Sequence, residues 1–65
     1  MNKQQAHTLA KLVAGYTWQS GGGIWLVLLE RQDGVLVVFS GDAICEYANQ
    51  SAFEEGQATT TIRLQ

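Results

Sequence analysis

Two side chains here are of the types that hydrolases pair as nucleophile and base, Cys45 and His7. Such chemistry needs the thiol and the imidazole within hydrogen-bond reach of one another, and nothing in the sequence brings them together. Cys45 sits in a strand-like run between Ile44 and Glu46 and faces opposite to both, so Ala43, Cys45 and Tyr47 form a core-facing set. Free cysteines are among the most buried residue types, and Cys45 reads as structural. His7, in the first turns of an N-terminal helix, reads as solvated. One Cys and one His fall short of the roughly four ligands of a structural zinc site. A single cysteine closes no intrachain disulfide.

The run Gly21-Gly22-Gly23 raises the possibility of a phosphate loop, which needs a helix N-terminus behind the glycines and usually a lysine. This run leads instead into Ile24-Trp25-Leu26, and no lysine follows, so it reads as a turn. Asp42, Glu46, Glu54 and Glu55 form a loose acidic group. Their spacing matches no EF-hand loop, and they read as solvated or capping carboxylates that can contact a basic partner. Tyr16, Trp18 and Trp25 are types enriched at interface hot spots. Trp25 is the best candidate anchor if it lies on a face the helix leaves open. No catalytic, metal or cofactor residue emerges, and the chain reads as a non-enzyme.

The elements that must position these residues are legible in the pattern. Ala6, Leu9, Ala10, Val13 and Tyr16 recur at helical spacing over residues 3–15. Asn2 and Gln5 form a capping-box pair, and Gly15 is a stop signal. Tyr16 to Gly23 reads as a break. Ile24 to Arg31 and Val35 to Ser40 then read as strands joined at Asp33-Gly34, a strong hairpin signal. Gly41-Asp42 suggests a type II′ turn into a third strand, Ala43 to Ala48. Ser51 and Glu54 suggest a capped helical turn ending at Gly56, and Thr59 to Leu64 a last strand with the polarity of an edge. The expected fold is α+β, an N-terminal helix on a four-stranded, mainly antiparallel sheet in the order α-β-β-β-β. A short helical turn precedes the last strand.

Sixty-five residues allow one small domain, 1–65, that buries only about 60% of its unfolded surface. Charged residues are 15% of the chain, against about 25% in an average domain. The net charge is −2 and four cationic residues are scattered, which disfavours nucleic acid and anionic membranes. The longest apolar run, Ile24 to Leu29, is far shorter than the roughly 20 residues of a spanning helix. No signal-peptide pattern opens the chain, so a cytoplasmic setting is expected.

The central hairpin is apolar on both faces, with one proper helix to cover it. Leaving large side chains in water forgoes roughly 1.5–3 kcal/mol each, and exposed patches of that kind mark interaction sites. The sequence therefore predicts a small interaction or regulatory protein that works as a homodimer, or as a subunit with another protein, through an apolar sheet face. The expected interface residues are Trp25, Val27, Leu29, Leu36 and Val38. The alternative is a small-molecule binding module with its pocket between subunits.

Overall fold

Apolar residues at every third or fourth position draw the N-terminal segment into α1, Lys3–Val13, with Ala6 and Ala10 buried on its inner side. Its start is fixed reciprocally: the Gln5 N–H donates to the Asn2 side chain at 2.8 Å, and the Asn2 N–H donates to the Gln5 side chain at 3.0 Å. The helix stops one residue before the expected glycine. Ala14 takes the left-handed conformation at φ 58°, and Gly15 meets a different demand. A Cβ there would run into the carbonyl of Leu28, so the chain passes too close to the sheet for any side chain.

The computed structural model describes residues 1–64. After α1 come β1 (Tyr16–Gln19), β2 (Trp25–Glu30), β3 (Leu36–Phe39), β4 (Ala43–Tyr47), α2 (Gln50–Glu54) and β5 (Thr60–Arg63). The class is α+β, an N-terminal helix on an antiparallel sheet. The sheet has five strands rather than four, because Tyr16 to Gln19 forms a strand where a break was expected. The order is β1-β2-β3-β4-β5, with each neighbouring pair antiparallel. The three glycines lie in the turn between β1 and β2, closed by Ser20 and Ile24.

The connection from β2 to β3 decides which side chains share a face. Arg31 N–H donates to the Val35 carbonyl at 2.9 Å, so the loop is the three residues Gln32-Asp33-Gly34, with Gly34 at φ 88°. Leu28 therefore pairs with Val38 and Leu29 with Val37. A two-residue turn at Asp33-Gly34 would have paired Leu29 with Val38 and turned β3 over, since a shift of one residue exchanges the two faces. A two-residue turn does form at Gly41-Asp42, but Gly41 is not in the left-handed region, so it is not the expected type II′.

The helix face carries Trp25 and Val27 of β2 and Phe39 of β3. They pack with Met1, Leu9, Val13 and the two buried alanines of α1. The opposite, aromatic face carries Leu26, Leu28, Leu36, Val38 and Tyr47, closed over by Phe53 of α2. α2 is capped by Asn49, whose side chain accepts from the Ala52 N–H at 2.9 Å, in place of the expected Ser51–Glu54 pair. The face predicted to lie open is thus covered by the chain's own second helix. Leu28 and Leu36 are 0% and 1% exposed.

Candidate interaction surface

The five residues expected to form one interface fall on two faces. Trp25, Val27 and Leu29 lie on the helix face; Leu36 and Val38 lie on the aromatic face, because β3 pairs through a three-residue loop. Val27, Leu36 and Val38 are buried within the chain at 0%, 1% and 4% exposure. Trp25 lies on the face that α1 packs against, with the His7 ring 6.1 Å away at a tilt. Leu29 is half-buried and outside the cluster that packs under the helix.

His7 and Cys45 lie on opposite faces of the sheet. Cys45 shares the aromatic face with Val38 and Tyr47, and its thiol donates weakly to the Thr61 hydroxyl at 3.8 Å. Burial raises the Tyr47 phenol above its ordinary pKa near 10, with the neighbouring Cys45 adding to the shift through its charge interaction and its hydrogen bond. The acidic group disperses. Glu46 accepts from Arg31 at 2.8 Å, and the same guanidinium reaches Asp33 at 2.7 Å. Asp42 lies 4.0 Å from Arg63. Among the described residues, no pocket forms, and no three His, Cys, Asp or Glu side chains gather as a metal site.

What the fold leaves open follows from its proportions. A single helix is about 10 Å across, whereas five strands spaced about 4.8 Å apart are roughly twice as wide. α1 packs mainly against β2 and β1, with Phe39 of β3 at its margin. On the helix face beyond it, the register pairs Leu29 of β2 with Val37 of β3 and Ile44 of β4 with Ile62 of β5, while Val37 lies opposite Glu46 and Ile44 opposite Phe39. Leu64 continues the alternation past the end of β5. Leu29, Val37 and Ile44 are half-buried, while Ile62 and Leu64 are 53% and 55% exposed. Glu46, directly opposite Val37 on this same face, holds Arg31 in an ion pair, so the apolar patch is interrupted toward the β2–β3 turn. The sequence did not single out Val37, Ile44, Ile62 or Leu64. Only the register shows that they share a face.

No helix of the described residues is long and apolar enough to cross a membrane. Comparison with protein-family models, with curated proteins and with solved structures finds no match for the chain.

Proposed function

We propose that the chain is a small non-catalytic interaction protein that acts as a homodimer, or as a subunit of a larger assembly, through the open half of its helix face. The observation that supports this reading is that Leu29, Val37, Ile44, Ile62 and Leu64 share the helix face beside α1, and no helix of the described residues packs over them. An exposed aliphatic side chain on such a face gains roughly 1.5–3 kcal/mol when a partner removes it fully from water. That is a large fraction of the stability of a domain this size. A twofold homodimer is the commonest arrangement that buries a patch against its own kind.

Native mass spectrometry at tens of micromolar tests the reading. The wild type is expected at twice its 7.1 kDa mass. Ile44→Asp, which places a charge beside Ile62 and Phe39 on this face, is expected at the monomer mass with its secondary structure intact. A wild-type monomer at that concentration overturns the homodimer. Added mass of a few hundred daltons would point instead to a ligand held between subunits.

A further inference from the structure

The segment that closes the aromatic face, residues 49–57, is hydrogen-bonded to itself. The Ala52 N–H donates to the Asn49 side chain at 2.9 Å, and the Phe53 N–H donates to the Asn49 carbonyl at 3.2 Å. The Glu55 N–H reaches the Ser51 carbonyl at 3.0 Å, the Gly56 N–H that of Phe53 at 3.1 Å and the Gln57 N–H that of Ala52 at 2.8 Å. Among the described residues, no hydrogen bond crosses from this segment to the sheet, and Glu54 and Glu55 enter no ion pair.

Its hold on the sheet is one ring. Ala52 and Phe53 are half-buried, and the other residues of the segment are exposed. Phe53 is the one packed against Leu28, Leu36 and Val38, edge-on to Trp18 and to Tyr47. α1 is held differently, by Ala6, Leu9, Ala10 and Val13 along its length. The two ends of the segment are fixed without the ring. Thr59 gives both its N–H, at 2.8 Å, and its hydroxyl, at 3.1 Å, to the Glu46 carbonyl, and from there β5 pairs with β4. Lifting residues 49–57 therefore breaks no strand pairing.

We infer that residues 49–57 are a lid, latched by Phe53, that opens and closes as one unit while the five-stranded sheet stays folded. A five-residue helix has no stability of its own in water, so lifting the ring melts α2 and frees the backbone of the segment. That gain in chain entropy opposes the burial of half a phenyl ring and its two edge contacts. Such a latch favours the closed form by roughly 10- to 100-fold. Opening bares Leu28, Leu36 and Val38, so the aromatic face alternates between a sealed and an apolar form. The lid lies on the face opposite the surface of the homodimer reading and does not rest on it.

Native-state hydrogen exchange in low urea tests the lid. The amides of Ala52, Phe53, Glu55, Gly56 and Gln57 are expected to exchange roughly 10- to 100-fold more slowly than in an unfolded chain, at rates that urea barely changes, because a local opening exposes little surface. Amides of the β2–β3 ladder are expected to be far better protected and to lose protection steeply with urea. Lid amides that exchange only when the sheet unfolds, with the same urea dependence, overturn the lid. Phe53→Ala gives a second reading. Its lid amides are expected at unfolded-chain rates while the β2–β3 amides stay protected, and lid amides that keep wild-type protection overturn the latch. The urea dependence of the wild type decides the matter where Phe53→Ala does not fold.

Discussion

The ring of Phe53 stands edge-on to that of Trp18, with centroids 5.8 Å apart and planes at 83°. Trp18 is on the first strand of the sheet, and Phe53 is on the helix that precedes the last. Phe53 also meets Tyr47 of β4 in a similar edge contact at 5.3 Å. One side chain therefore spans β1 to β4, which a flat sheet would hold about 14 Å apart at three strand spacings. The sheet curls around the aromatic face, and Phe53 fills the hollow over Leu28, Leu36 and Val38.

Removing that ring should be the most costly change in α2. Phe53→Ala is expected to lower stability by about 2–3 kcal/mol, since the ring is half-buried. Phe53→Leu should recover much of that loss. Urea unfolding measures both, and a Phe53→Ala midpoint equal to wild type would mean α2 does not cover the face.

The turn out of α1 offers two substitutions of opposite sign. Gly15→Ala must displace the Leu28 carbonyl from its contact with the backbone, and more than about 2 kcal/mol of lost stability is expected. Ala14→Gly relieves a left-handed alanine at φ 58°. The relief exceeds the entropy glycine adds to the unfolded chain, for a net gain of about 0.5–1 kcal/mol. Denaturant midpoints of the two variants should fall on either side of the wild type.

Loss of the reciprocal cap should fray the start of α1. Asn2→Ala leaves the Gln5 N–H without its acceptor and is expected to cost about 1 kcal/mol. Asn2→Ser should keep most of the stability. Exchange of the Gln5 amide reports the fraying directly, because it should speed up in the alanine variant and not in the serine one.

Tyr47 predicts an alkaline limit. Its phenol is held above the ordinary value in the folded chain, so the folded state favours the neutral ring. The stability linked to that preference is fully present below about pH 10 and is lost as pH rises through the raised pKa. Unfolding midpoints should therefore decline above about pH 10 more steeply in the wild type than in Tyr47→Phe. Parallel curves would show that Tyr47 plays no part in the decline.

The sequence carried the α1 cap, the Asp33-Gly34 hairpin and the edge character of β5 through local chemistry. β1 was harder to see, since Tyr-Thr-Trp-Gln is only four residues between a helix stop and three glycines. Its alternation of aromatic and polar residues was nonetheless a strand signal. The faces were less accessible still. Whether Leu36 and Val38 side with Trp25 or with Leu28 depends on one residue of loop length, and Asp-Gly is compatible with both. A cover made by one phenylalanine on a five-residue helix leaves no periodic trace. The open part of the helix face is likewise invisible until the register is known, because Ile44 and Ile62 look like ordinary strand residues.

The unbroken neighbour-to-neighbour order of the five strands also governs how fast the chain finds its fold. Each strand pairs with the next in sequence, so every hairpin closes through a short connection. Low average separation between contacting residues favours rapid folding. The long closure is the one between Phe53 and Trp18, which requires the whole meander to be in place. Docking of that ring thus belongs on the native side of the barrier. A Phe53 substitution is expected to accelerate unfolding while leaving the folding limb of the chevron nearly unmoved.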